Sequence, residues 1–156
     1  MSVQVIDRQP TPIAYLRHVG PYGPPVTAFW QETVYPWMVA NDFLQRPRYG
    51  ISHDDPAITA EENCRYDAGV ALPAGFAATG RMLTTTLPGG RYAVSKFEGT
   101  TDEIVAAWAR VLREWLPASG MQLDSRPFFE HYPEGTKWDP ETGIFDCEIC
   151  IPVVEL

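Results

Sequence analysis

The residue in this sequence best placed to do chemistry is Glu130. It stands in Pro127-Phe128-Phe129-Glu130-His131-Tyr132, a short aromatic run that reads as a strand. On a strand, Phe128 and Tyr132 share a face with Glu130, while Phe129 and His131 point the other way. A carboxylate among rings loses hydration, which costs free energy unless a ligand or neighbour compensates. A group that costs stability without structural need is a functional candidate. Two uses follow. Ringed by aromatic side chains, Glu130 would hold a flat, delocalised cation, charge against carboxylate and ring against ring. Raised toward neutrality by burial, it would instead act as a general base on a water, with Tyr132, Tyr49 or His53 donating to the developing oxyanion. The bland alternative is a carboxylate that faces solvent or pairs with Arg126.

On this reading the catalytic candidates are Glu130, Tyr132 and His53, and the ligand-contacting candidates are Glu130, Phe128, Tyr132, Tyr49, Ile51, His53, Trp30, Trp37, Trp108 and Trp138. Trp30 and Trp37 lie on one helical stripe and Trp108 and Trp115 on another, positions that suit a core as well as a groove wall. Trp138 sits in the polar stretch Glu134-Gly135-Thr136-Lys137-Trp138-Asp139-Pro140, where it would be a lid or a ring packed on its loop. Other chemistry finds no support. His18, His53 and His131 have no metal-ligand spacing, and neither a nucleophile elbow nor a phosphate-binding Gly-Lys loop is present. Gly20-Pro21-Tyr22-Gly23 is a turn, because proline removes the donors a phosphate loop needs. Cys147-Glu148-Ile149-Cys150 has redox spacing, but in a strand its two sulfurs point to opposite faces. Neither a cofactor nor a metal is expected.

The elements that must position Glu130 occur twice. Shifted by 79 positions, Ala14 meets Ala93, Arg17 meets Lys96, Gly20 meets Gly99, Phe29 meets Trp108, Tyr66 meets Phe145 and Pro73 meets Pro152. In the first half, strands at Val3–Arg8 and Ile13–Val19 precede a helix from about Pro25 to Asn41, with strands at Arg48–His53 and Arg65–Leu72 after it. In the second, strands at Arg81–Leu87 and Arg91–Phe97 precede a helix at Thr101–Leu116, with strands at Pro127–Tyr132 and Ile144–Val153 after it. Thr100 and Glu103 are spaced as a capping box for that helix. The expected fold is α+β: one domain over residues 1–156, built of repeats at about 1–76 and 77–156, with helices on one face of a mostly antiparallel sheet. Two such units would stack about a pseudo-two-fold axis and enclose a central cleft. Under the 79-residue shift the counterpart of Glu130 is Ile51, so the scaffold itself accepts an apolar side chain there.

A net charge of −8 over 156 residues argues against direct nucleic-acid binding, which draws its affinity from Lys and Arg on phosphates. The first residues, MSVQVIDRQP, contain neither a basic nor an apolar leader region, and no apolar run is long enough to span a bilayer. Three cysteines cannot all pair, which fits a reducing compartment, and the expected location is the cytoplasm.

Five segments together resemble the GyrI-like small-molecule-binding domain, the effector-binding domain of AraC-type and BmrR-type regulators, also found in SbmC-like proteins. They are Arg65-Tyr66-Asp67-Ala68, Gly89-Gly90-Arg91-Tyr92-Ala93-Val94, Trp108 with Glu114-Trp115-Leu116-Pro117-Ala118-Ser119-Gly120, Arg126-Pro127-Phe128-Phe129-Glu130-His131-Tyr132 and Ile149-Cys150-Ile151-Pro152-Val153. The resemblance implies two strand-helix-strand-strand modules around a cleft, with the glutamate matching Glu130 in contact with cationic aromatic ligands. It also implies two alternatives: hydrolysis of cyclopropanoid DNA-alkylating toxins, with that glutamate acting on water, and modulation of DNA gyrase. A separately encoded regulator is the other kind of partner expected. Where many relatives have tyrosine before the Asp-Asp-Pro turn, this chain has His53.

Overall fold

A computed structural model describes residues 2–78, 82–136 and 138–156. The strands among them are β1 (Val3–Arg8), β2 (Thr11–Val19), β3 (Arg48–Ser52), β4 (Arg65–Ala71), β5 (Leu83–Leu87), β6 (Gly90–Gly99), β7 (Met121–Leu123), β8 (Phe128–Tyr132) and β9 (Phe145–Glu155). Arg81, expected to open the fifth strand, lies outside the described residues. All pairings are antiparallel, in the order β1-β6-β9-β8-β3-β4-β2-β5, with β7 alongside β9. Read outward from the β8–β3 seam, β9-β6-β1 on one side answers β4-β2-β5 on the other. Each half therefore lends its first strand to the other half's sheet.

The links explain why this sheet curls. Gln9 and Pro10 join β1 to β2, and Pro88 and Gly89 join β5 to β6, although neither pair of strands is adjacent in the sheet. Three peptide steps span about 10 Å, so the outer ends of the sheet must come round to meet. The links touch each other: a Cβ on Gly89 would lie 2.7 Å from both the Arg8 carbonyl oxygen and the Pro10 nitrogen. Curling gives the sheet an inner face that buries itself. Ile13, Tyr49, Ile51, Leu87, Tyr92, Val94, Phe129 and Cys150 form this cluster without a helix. Each large side chain so buried contributes roughly 2–3 kcal/mol.

The helices cover the other face. The first runs from α1 (Pro24–Phe29) through a π-helical turn at Trp30–Val34 into α2 (Tyr35–Ala40). The second runs from α3 (Thr101–Arg110) through a π-helical turn at Val111–Trp115 into α4 (Leu116–Ala118). Proline accounts for both π turns. Pro36 and Pro117 have no N–H for the carbonyls of Glu32 and Arg113, four residues back, and their rings crowd those carbonyls. The Thr100–Glu103 capping box forms, with the Thr100 N–H donating to Glu103 Oε1 at 3.0 Å. Val34 and Met38 pack on Ala14, Ala68 and Val70 of one half. Val111 packs on Ala93 and Ile151 of the other half, and Ile104 and Ala107 pack on Cys147 and Ile149. Among the described residues no helix is long and apolar enough to cross a membrane.

Candidate functional site

Residues directly opposite in an antiparallel ladder share a face. The β3–β8 ladder sets Gly50 opposite Glu130 and Arg48 opposite Tyr132, and the β3–β4 ladder sets Ala68 opposite Gly50. Glu130 therefore points to the helical face, among Tyr132, Gly50, Arg48, Ala68 and Tyr66. Trp108 of α3 donates its indole N–H to Glu130 Oε2 at 3.0 Å, and the Tyr132 hydroxyl donates to Oε1 at 3.0 Å. Trp30, the first residue past α1, donates its indole N–H to the Tyr66 hydroxyl at 2.9 Å. Room for that hydroxyl exists because position 50 is glycine. A Cβ on Gly50 would collide with Tyr66 Oη and lie 3.4 Å from Glu130 Oε1. Rings complete the enclosure: Trp30 meets Tyr132 edge-on at 6.0 Å, and Phe128 stacks on Trp108 at 6.4 Å.

The electrostatics follow from this burial. Desolvation raises the Glu130 pKa above the usual carboxyl range, against the hydrogen bonds from Trp108 and Tyr132. Desolvation also raises Tyr66 and Tyr132 well above the usual phenol range, and the Glu130 charge adds to it. Both phenols therefore stay protonated and able to donate. Among the described residues no arginine, lysine or histidine forms an ion pair with Glu130. Arg126, the partner considered from the sequence, bonds Asp124 and the backbone instead.

A cleft of about 360 Å³ opens between the two helical arms, lined by Gly23, Pro24, Thr27, Ala28 and Gln31 on one side and Thr101, Asp102 and Val105 on the other. Its volume lies within the range of small-molecule pockets. Glu130 is not among its walls. Trp30 and Trp108 stand three residues, about one helical turn, beyond Thr27 and Val105 on the same two arms.

The structure thus brings Glu130, Phe128, Tyr132, Trp30 and Trp108 together. It does not bring Tyr49, Ile51 or His53 to them. Tyr49 and Ile51 belong to the self-buried inner cluster, where Tyr49 stacks on His131 at 4.9 Å. His53 is held elsewhere, its Nε2 lying 2.7 Å from Asp67 Oδ2. Trp37 packs on Phe43 in the core beneath its own helix. Trp138 is 51% exposed and bridges to Phe145, whose ring lies 6.3 Å from Tyr132. Tyr66 and Gly50 are the residues that sequence reasoning misses. Tyr66 lies in the family-like segment at 65–68, but only the strand order puts it two strands from Glu130.

The chain is 30% identical over 154 residues to YosT of Bacillus subtilis (strain 168), a SPbeta prophage-derived protein named as a transcriptional regulator, covering 98% of this chain and 99% of YosT. It is 25% identical over 157 residues to a protein of Erwinia billingiae (strain Eb661) named DNA gyrase inhibitor, covering 98% and 97% of the two chains. Its fold matches the structure of SAV2435 bound to tetraphenylphosphonium with a TM-score of 0.66 at 18% identity, over 99% of this chain and 94% of that one. A family model, GyrI-like small molecule binding domain, matches residues 1–154. With a fold, a relative and a family model agreeing over nearly its whole length, this chain belongs to the GyrI-like small-molecule-binding domain family.

Proposed function

We propose that this protein binds bulky aromatic cations in the groove between its helical arms, with Glu130 as the anionic anchor. One observation carries the reading: a raised-pKa carboxylate, walled by Trp108, Tyr132 and Phe128, holds neutral donors and no cation among the described residues. A delocalised cation supplies the missing charge and stacks on the rings, a contact worth up to about 2 kcal/mol or more when desolvated. That a protein of the same fold was solved with tetraphenylphosphonium supports the ligand class. The unpaired cysteines support a cytoplasmic setting. Titration of a fluorescent xanthene cation into the purified protein and its Glu130→Gln variant tests the reading. Competition by tetraphenylphosphonium and loss of affinity in the variant are expected; equal binding by both proteins refutes it.

A second reading uses the same atoms. Glu130, with its pKa raised, and the Tyr132 hydroxyl 3.0 Å away make a base and a donor. Water would add to a cyclopropanoid toxin, its oxygen forming a C–O bond as the strained C–C bond breaks. The broken bond's electron pair would pass into the conjugated carbonyl, and the proton Glu130 takes up would return to the product. Mass spectrometry separates the readings: a binder returns the compound unchanged, whereas a hydrolase adds 18 Da, the mass of one water. Modulation of DNA gyrase rests on the names of relatives and is tested by a supercoiling assay with and without ligand.

A further inference from the structure

Arg48 is a charged group outside the hydrogen bonds that hold Glu130. It lies on Glu130's face of the sheet, two residues along β3 from Gly50 and opposite Tyr132 in the ladder. It is partly buried, and that burial lowers its pKa, while Tyr132 and Tyr35 are near enough to act on its charge. Other arginines are provided for: Arg17 grips Asp67, Arg65 grips Asp54, Arg126 grips Asp124, and Arg8 lies over the Tyr49 and Phe129 rings. Among the described residues the Arg48 side chain has neither an ion pair within 4 Å nor a hydrogen bond. A half-buried charge without a counter-ion is costly to hold. Nor is the guanidinium sealed off, since no fully buried side-chain nitrogen or oxygen among the described residues lacks a partner. Its free donors are therefore within reach of solvent, and of a ligand.

We propose that Arg48 forms the acid-recognising end of the same groove, so that the preferred ligands are zwitterionic aromatic compounds, with their cationic end at Glu130 and a carboxylate or similar oxyanion at Arg48. The proposal rests on the Glu130 reading. Positions 48 and 130 are diagonal neighbours across one ladder, about 7–8 Å apart. Side chains rooted that close on one face can both be reached by a compact ring system that carries opposite charges. Tyr132 is the shared neighbour, bonded to Glu130 and opposite Arg48. The guanidinium fork matches a carboxylate by two parallel hydrogen bonds, which a neutral ester cannot reproduce.

Rhodamine 110 carries a xanthene cation and a free benzoate; rhodamine 123 is its methyl ester. Fluorescence anisotropy of both dyes with the whole protein gives the ratio of their affinities, a quantity insensitive to a general loss of folded protein. The expected result is tighter binding of rhodamine 110 by about tenfold, with most of that preference lost in Arg48→Met and part of it kept in Arg48→Lys. In Glu130→Gln both dyes should weaken together. If wild-type protein binds both dyes equally, or Arg48→Met leaves the ratio unchanged, the Arg48 proposal fails; continued sensitivity of both dyes to Glu130→Gln would then preserve the cation reading. Absence of any Glu130 dependence overturns both.

Discussion

Gly50 stands directly opposite Glu130 across the β3–β8 ladder, on the same face, and its missing side chain is the space that the Tyr66 hydroxyl occupies. Gly50→Ala should destabilise the fold by about 2 kcal/mol through overpacking, or about 6 °C in Tm at this size. Adding Tyr66→Phe removes the nearest colliding atom and should recover part of the loss. A double-mutant cycle of denaturant midpoints measures the coupling, and simple additivity would contradict the stated collision.

Burying Glu130 works against the fold whenever its carboxylate is charged. Burial raises its pKa, so the folded protein holds this proton at pH values where the unfolded chain has released it. The sign follows from linkage: folding is favoured below the unfolded value, and that advantage is lost as pH rises through the raised folded value. Glu130→Gln should therefore melt higher than the parent at pH 8, with the difference shrinking toward pH 4. Cation affinity should run the other way, falling about tenfold per pH unit below the Glu130 titration. Calorimetry and dye titration on one pH series check both signs.

Asp67 is 4% exposed and bonds Arg17 through both carboxylate oxygens, at 2.7 and 2.9 Å, as well as His53. Burial alone would raise its pKa, but hydrogen bonds from Arg17 and His53 hold it below the usual carboxyl value. Its stabilisation is present above the unfolded value and disappears as pH falls through the lowered one. Asp67→Asn should cost about 3 kcal/mol at neutral pH. His53→Gln should leave dye affinity within about twofold, because a change tied to Asp67 moves no group bonded to Glu130. A large loss of binding in His53→Gln would return His53 to the site.

Cys64, Cys147 and Cys150 are free and buried, and burial pushes the Cys150 thiol up to about 12 and raises Cys147 as well. Since thiolate is the reactive form, a thiol-exchange reagent at pH 8 should leave the native protein unmodified. All three cysteines of the sequence should react in denaturant. Rapid native labelling at Cys147 or Cys150 would show that β9 opens more readily than its burial implies.

Where the sequence was legible, one periodic element carried the signal. Val3–Arg8, the α3 capping box and the opposite faces of Cys147 and Cys150 each follow from local spacing. Phe128, Glu130 and Tyr132 share a face for the same reason. Tyr49, Ile51 and His53 went to the other face because a constant 79-residue shift does not hold through the sheet. Anchored at Leu16 and Ser95, the ladders carry Ala68 onto Ile149 and Gly50 onto Glu130, separations of 81 and 80. One residue of slip reverses every side chain on a strand. β7 spans only Met121–Leu123, too short to show an alternation, and Pro36 and Pro117 mark where the helices are disturbed without showing that the disturbance is a π turn.

The crossed links at Gln9-Pro10 and Pro88-Gly89 make the sheet mechanically a hoop rather than a book. A book could open along the β3–β8 seam and spread its covers around a guest. A hoop fastened at its far side resists that motion. On the proposed reading, room for a guest would come from the contents of the groove, by swinging Trp30 and Trp108 off their hydrogen-bond partners, Tyr66 and Glu130. Guests of different outline would then be met by turning two indoles, while the frame around Glu130 keeps its shape.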